Sequence, residues 1–473
     1  MTEKRSEQKE RDIYLNQTPA SPILQDGLFY PSLTGPPFSY NLVLKGWQME
    51  RVAVIILAAG KGKRMRSGLV KVLHPLLGRP MLSYPLEVAL GQLRPEKTLV
   101  VIGHQGDEIR ASFSEPRITF VEQEDQLGTG HAVSITEPIL RGFNGTIVIL
   151  CGDIPLISSQ TLRGMLNHHW EKEAVLTLLT SHIEDPAGYG RVVRGVLSGV
   201  RKVVEEKDAT DRELEIKEIN SGIYCVQKPF LFQTLGAIKS DNAQGEYYLT
   251  DIIEIAHHEK KRVCTFYAPD PWEIMGVNTR ADLAKAEEVL GERVRQHWMS
   301  EGVTIQDPQS VYIEPDVRIG RDTVIHSNCY LRGRTSIGEE CLIGPQVEII
   351  DSQIGDRVRV RFCTLITESR VENDATVGPF SHLRPLTHLE KGVRIGNFVE
   401  VKKSRIRKGT KANHLSYIGD AEVGEGVNIG AGTITCNYDG YQKHQTIIEE
   451  GVFMGSNTAL VAPVKIGKGA LVG

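Results

Sequence analysis

The chain is poor in several features that would otherwise narrow its role. Its 7 cysteines, at positions 151, 225, 264, 329, 341, 363 and 436, are scattered and include no CxxC pair, which argues against a disulfide framework and against a cysteine zinc site. A reducing cytoplasm is the simplest setting for such thiols. No apolar run approaches the roughly 18 residues that a membrane span requires. There is no dense Lys/Arg run and the formal net charge is -4, so nothing in the electrostatics favours a nucleic acid as partner, and phosphates must be met locally. The first 48 residues begin charged, become dotted with proline, and lack a signal-peptide core. They read as a loose extension ahead of a domain that starts at Met49, which is expected to be the usual start.

At 473 residues the chain exceeds one ordinary core, and two or three domains are expected. From Val52 to about Asn278, apolar runs alternate with helical patterns: VAVIIL from 52, TLVVIG from 98, ITFVE from 118, TIVILCGD from 146 and AVLTLLT from 174. Continuous apolar strands separated by helices predict a mostly parallel sheet covered on both faces, with function at the carboxyl ends of the strands. Gly60, Gly128 and Asp153 fall there. The stretch 279–299 predicts one helix, with Thr279 as N-cap and Leu283, Ala286, Leu290, Val294 and Trp298 on one stripe. Beyond it, aliphatic-glycine pairs recur, among them Ile337-Gly338, Ile343-Gly344, Ile354-Gly355, Ile395-Gly396 and Ile429-Gly430. Many are spaced near a six-residue period, the hexapeptide pattern of a parallel β-helix.

The segment LAAGKGKRM, 57–65, follows a buried strand and precedes the lone Lys71. A glycine turn followed by cations suits phosphates. It fits neither common nucleotide motif: Met65 stands where a dinucleotide fingerprint needs its third glycine, and Lys63-Arg64 replace the Lys-Ser/Thr of a P-loop. Taken singly, Arg64 and Lys71 read as solvated cations, Asp153 as the cap of a following helix, and Asn278 as a turn residue.

Together with LAAGKGKRM and Lys71, the segments QEDQLGTGHA from 123, CGDIPL from 151, GYGR from 188, VVEEKDAT from 203, EINSGIY from 218 and GVNTR from 276 resemble, in this order, the bifunctional bacterial N-acetylglucosamine-1-phosphate uridyltransferase/glucosamine-1-phosphate N-acetyltransferase family. The resemblance continues through FSHLRPLTHL from 380, GNFVEVKKSRI from 396, KANHLSYIGDAEVG from 411, VNIGAGTITCNYDG from 427 and MGSNTAL from 454. It implies an α/β nucleotidyltransferase domain with a Rossmann-like sheet at 49–278, a connecting helix at 279–300, and a left-handed hexapeptide β-helix at 301–473 that assembles as a homotrimer. It also implies two reactions. Glucosamine 1-phosphate is acetylated by acetyl-CoA, and the product then receives UMP from UTP with Mg²⁺, for envelope polysaccharides.

The same resemblance assigns residues. Leu57, Ala58, Ala59 and Gly60 line the nucleotide loop, while Arg64 and Lys71 hold the triphosphate and sugar phosphate. Gln123, Gln126 and Gly128 read uracil, and Thr129 beside them is a further substrate contact. Gly190, Glu205 and Asn220 form the sugar pocket, and Asp153 and Asn278 take Mg²⁺. One departure is Lys63, where the family usually has threonine. In the second half His414 is the base, oriented by Glu400, and Arg384 and Lys402 clamp the phosphate of glucosamine 1-phosphate. Tyr417, Asn428, Asn437 and Tyr438 meet sugar and acetyl groups, and Ala431 and Ser456 meet acetyl-CoA.

The sequence closes at LVG473 in mid-repeat, whereas the family continues with a stretch that completes the β-helix and adds coenzyme A contacts. The alternative reading is a single-activity pyrophosphorylase whose β-helix serves only oligomerisation, and a third is a non-catalytic scaffold. His414, Arg384 and Lys402 favour two activities, and Lys71, Asp153 and Asn278 speak against a scaffold.

Overall fold

A computed structural model describes residues 51–103, 105–195 and 199–473. The expected extension at 1–48 and the start at Met49 lie outside the described residues. The chain divides into two compact units after Ala286.

In the first unit the strand Val52–Leu57 lies at the centre of a nine-stranded sheet among the described residues. It pairs in parallel with Lys97–Ile102 on one side and Thr146–Cys151 on the other. Ile118–Glu122 continues the first side. On the second, Glu218–Gln227 inserts antiparallel between Thr146–Cys151 and Leu176–His182, and Val263–Tyr267 closes the edge in parallel. The five strands expected from apolar runs all form, and mostly parallel describes the sheet.

Burial explains why these strands read as unbroken apolar runs. Val52, Val54 and Ile56 enter one core cluster while Ala53 and Ile55 enter another, so helices cover both faces. The order reverses at the central strand, and the crevice beyond Leu57 and Cys151, which are register partners, is the switch point where ligands of such sheets bind. The backbone is tight there: Ala58 N–H donates to Val101 O at 2.8 Å and Gly152 N–H to Leu57 O at 2.9 Å.

The helix Arg280–Ser300 forms where predicted, with Asp282 N–H donating to the Thr279 hydroxyl at 3.1 Å as the expected cap. Leu283, Ala286, Leu290 and Val294 are buried, and Trp298 is half-buried.

The second unit is a parallel β-helix. On one of its faces Ile319, Ile337, Ile354, Val371, Leu389, Ile406, Val423, Ile448 and Ile466 stack in register, one per coil. Each is followed by a tight corner. A Cβ at Gly338 would lie 2.7 Å from the Gly355 carbonyl carbon of the next coil, which is why glycine follows the inward aliphatic. The period breaks once: the step from Glu422 to its partner Ile447 is longer than that from Arg405 to Glu422, and the excess chain forms the loop around Tyr438 to His444.

Candidate active sites

In the first unit three segments far apart in sequence meet at one atom. Lys71 lies in a 3-10 turn, Lys71–Leu73, and is buried. Its Nζ donates to Asp153 Oδ2 at 2.5 Å and to Asn278 Oδ1 at 2.7 Å. The Val277 N–H donates to the Asp153 carbonyl at 2.8 Å, tying the two oxygen-bearing loops through the backbone. The helix after Asp153 is capped by Ser158, whose hydroxyl accepts from Thr161 N–H, so the capping role does not fall to Asp153. Arg64 lies exposed on the turn Lys63–Met65, which follows Gly62 at φ 57°, and has no ion pair among the described residues.

Mg²⁺ takes hard oxygen donors in octahedral geometry and needs few protein ligands. The Asp153 and Asn278 oxygens converge on one positively charged atom, and both are hard donors of the kind that ion takes. Among the described residues no group of three or more His, Cys, Asp or Glu could hold a metal. Two side-chain oxygens, from Asp153 and Asn278, are what these residues would offer such an ion. The residues fit a divalent ion bound chiefly through its substrate.

The loop 123–130 packs against LAAG. Gln126 donates to Ala59 O at 2.8 Å, and Gln123 donates to Gly128 O at 3.1 Å. The second hydrogen of the Gln123 amide faces His131 Nδ1 at 3.1 Å, so His131 accepts and fixes the glutamine. His131 was not among the expected residues. Gly128 has φ 107°, and a Cβ there would lie 2.7 Å from Tyr247 O; only glycine fits. The Thr129 hydroxyl accepts from Leu249 N–H at 3.0 Å, pinning the same loop. A cavity of about 750 Å³ opens beside it, lined by Lys61, Gly103, Gln123 and Gln126 among others.

Gly190 pairs with Asn220 across antiparallel strands, and a Cβ on Gly190 would lie 3.5 Å from Glu205 Oε2, so these three expected sugar-pocket residues do come together. Asn220 is buried: its amide donates to the Tyr224 hydroxyl at 2.7 Å while Oδ1 has no hydrogen-bond partner. An orphaned acceptor of this kind costs free energy unless a ligand donor meets it. Burial, opposed by the Thr250 hydroxyl and reinforced by Asp208 and Asp251, raises the Glu205 carboxyl above its usual range.

In the second unit the expected residues fall into two sets. Arg384 and Glu400 form an ion pair at 2.9 Å. Lys402 follows on the same strand, Arg394–Lys402, with its ammonium held below its ordinary value chiefly by Lys443 beside it, then by desolvation and Arg384. Asn437 is buried and donates to Asp420 Oδ2 at 2.6 Å and to the Tyr417 hydroxyl at 3.5 Å. Three cations thus crowd one surface, which suits a phosphate. Lys443 and Asp420 were not expected. Lys443 lies on the loop where the hexapeptide period breaks, and that break is the sequence signal that could have found it.

The other set runs along a corner. His414 is exposed and sits opposite Asn397 in register, whereas Glu400 sits opposite Tyr417. Within one chain Glu400 is engaged by Arg384 and not by His414. Gly432 N–H donates to Leu415 O and Asn457 N–H to Ala431 O, so His414, Ala431 and Ser456 occupy equivalent places on successive coils. Asn428 lies on the adjacent strand, paired with Lys411, and Tyr438 is exposed on the long loop.

A nucleotide-handling α/β unit joined to a hexapeptide β-helix defines a bifunctional transferase. The model of the MobA-like NTP transferase domain matches residues 54–215, and that of the bacterial transferase hexapeptide matches 316–351. The protein described as Bifunctional protein GlmU from Pelobacter propionicus is 49% identical over 425 residues, covering 90% of this chain and 92% of that protein. Those of Geotalea uraniireducens and Brevibacillus brevis are 48% and 46% identical, each over 90% of this chain and 93% and 91% of their own. The chain belongs to the bifunctional GlmU family. A solved UDP-glucose pyrophosphorylase aligns with 51% of this chain and 99% of its own at 17% identity and a TM-score of 0.43. Among the described residues no helix is long and apolar enough to cross a membrane.

Proposed function

We propose that this chain makes UDP-N-acetylglucosamine in two steps, acetylating glucosamine 1-phosphate with acetyl-CoA in the second unit and transferring UMP from UTP to the product in the first. The observation that carries the reading is the meeting of Lys71, Asp153 and Asn278 at the switch point of the sheet.

Uridyl transfer needs no protein nucleophile, only alignment of the sugar phosphate with the α-phosphorus and neutralisation of charge. Asp153 and Asn278 would hold Mg²⁺, which supplies charge neutralisation on the triphosphate when bound. Lys71 then turns from the carboxylate to phosphate, and exposed Arg64 closes on the triphosphate with its fork of donors. Gln123 and Gln126, with the backbone at Gly128 and Thr129, face the imide edge of uracil. Asn220 Oδ1 and Glu205 accept from sugar hydroxyls beside Gly190.

For acetyl transfer, Arg384, Lys402 and Lys443 receive the phosphate of the amino sugar. His414 takes the amine proton as the nitrogen attacks the thioester carbonyl; the C–S bond then breaks, and the departing thiolate takes that proton to leave as the coenzyme A thiol. Ala431 and Ser456, in line with His414, lie where acetyl-CoA approaches. Because His414 and the basic patch occupy different places on one chain, a neighbouring copy completes the site in a homotrimer. An exposed apolar ladder beside His414, made of Phe362, Phe380, Phe398 and Leu415, supports such self-association. The scattered free thiols suit a cytoplasmic setting.

The test is pyrophosphate exchange into UTP. It is expected to require both Mg²⁺ and a UDP-sugar, with UDP-N-acetylglucosamine preferred; exchange at the same rate without the divalent ion would overturn the reading.

A further inference from the structure

The turn that carries Lys71 and the segment that carries Asn278 are joined twice. The first tie is the hydrogen bond from Lys71 to Asn278. The second lies three residues beyond Lys71 and two beyond Asn278, where Arg280 Nη1 stands 3.1 Å from His74 Nδ1. A guanidinium only donates, so Nδ1 is the acceptor and the ring proton belongs on Nε2.

The two residues differ in what surrounds them. His74 is 2% exposed, and its backbone is fixed on both sides: its N–H donates to Lys71 O at 3.3 Å and its carbonyl accepts from Met81 N–H at 3.0 Å. Its Nε2 is buried without a hydrogen-bond partner. Arg280 is exposed and opens the long helix. The Asp282 carboxylate accepts from Asn278 N–H at 2.9 Å and Thr279 N–H at 2.8 Å, making 278–282 one rigid corner. The one well-formed side-chain hydrogen bond of the buried ring is the one to Arg280, and the Leu69 backbone is the other polar group beside it.

The first tie cannot last through a reaction cycle, because the ammonium that joins Asp153 to Asn278 is the same one needed at the phosphates. Once Lys71 swings away, the His74–Arg280 hydrogen bond is the side-chain link that still fixes one loop against the other.

We propose that His74 and Arg280 are positioning residues for uridyl transfer, bracing the Asn278 segment from the side of the Lys71 turn and so reinforcing the Val277–Asp153 backbone bond that sets Asn278 beside Asp153, while Lys71 alternates between carboxylate and substrate. The inference rests on the assignment of Asp153 and Asn278 as the ion-binding pair. Neither His74 nor Arg280 touches the reacting atoms. Their effect is on where Asn278 stands, as with outer-shell partners of metal ligands.

The full-length chain tests this with Mn²⁺ as the probe, its binding followed by electron paramagnetic resonance in the presence of UTP and without sugar phosphate, so that no turnover occurs. His74→Phe keeps the volume and removes the acceptor. Arg280→Met removes the donor from the exposed side and leaves the core intact. Both are expected to weaken Mn²⁺ binding by about tenfold, the scale of outer-shell losses. His74→Asn restores an acceptor near the Nδ1 position and is expected to recover most of the loss. The double variant is expected to be no worse than either single one, since both remove the same bond. Acetyl transfer by the same samples is expected to stay at the parent level.

Asp153→Asn separates the inference from its premise. If Asp153→Asn loses Mn²⁺ while His74→Phe and Arg280→Met bind it like the parent, the positioning role is wrong and the ion site stands. If Asp153→Asn also binds like the parent, the ion site falls and the positioning role with it. Should His74→Phe fail to fold, Arg280→Met decides alone. Loss in His74→Asn equal to that in His74→Phe would mean that packing, not the hydrogen bond, was removed.

Discussion

The Lys71 ammonium stands 2.5 Å from Asp153 Oδ2, and the pair is largely withdrawn from solvent on the lysine side. That contact neutralises the carboxylate, and in the proposed reaction the lysine leaves it for phosphate. Lys71→Met leaves the carboxylate without its cation. Uridyl transfer is expected to fall by about two orders of magnitude, the scale of one lost charge-stabilising donor, with acetyl transfer unchanged. A thermal or urea unfolding series should show destabilisation of about 1–3 kcal/mol from the unpaired, partly buried charge. Parent-level uridyl transfer in this variant would remove lysine from the chemistry.

Asn220→Leu answers a different question. If the orphaned Oδ1 waits for a sugar hydroxyl, removing it raises KM for N-acetylglucosamine 1-phosphate and leaves KM for UTP alone. Equal rises in both constants would place Asn220 outside the sugar pocket.

The crowding of Lys402 by Lys443 predicts that Lys443→Ala weakens glucosamine 1-phosphate by about tenfold, the worth of one charge-assisted hydrogen bond. The Lys402 ammonium should also titrate higher once its neighbour is gone, which NMR of the lysine side chains can follow. An unchanged KM would show that the loop cation serves only to hold the loop.

Burial, with Glu254 and Asp208 close by, pushes the half-buried Asp251 up to about 6 from 3.8. The folded chain therefore keeps this proton at pH values where the unfolded chain has released it. Stability falls as pH rises through that window, and the penalty is complete above it. Asp251→Asn removes the penalty, so the variant is expected to be more stable than the parent by about 1–3 kcal/mol above pH 7 and to lose that advantage near pH 4. Urea midpoints across pH check the sign. A gain that grows on acidification would contradict it.

Much of this was legible in the sequence because burial on both faces leaves strands such as Val52–Leu57 with no polar position, and because coil stacking forces an aliphatic and a glycine to recur together. Asp153 and Asn278 could be named from motif order, but their shared cation could not, since Lys71 meets them through the sheet topology. The antiparallel strand Glu218–Gln227, EINSGIYCVQ, lacks the unbroken apolar run of its parallel neighbours because it carries site residues such as Asn220, so neither its place in the sheet nor its direction was legible. Lys443 is marked only by the break in the hexapeptide period that makes its loop, and His131, which meets the Gln123 amide, is marked by no local pattern. The expected contact of His414 with Glu400 is absent within one chain because the register sets Glu400 opposite Tyr417.

The central claim is that two separate sites share this polypeptide, and a crossed pair of variants measures it most directly. Asp153→Ala and His414→Ala are made in the full-length chain, and each half-reaction is assayed by itself, with Mg²⁺ and UTP in one and acetyl-CoA in the other. Asp153→Ala is expected to lose uridyl transfer and keep acetyl transfer; His414→Ala is expected to do the reverse, by a factor of about 10²–10⁴ for a lost general base. Parallel loss of both activities in either variant, or near-parent uridyl transfer in Asp153→Ala, would contradict the account.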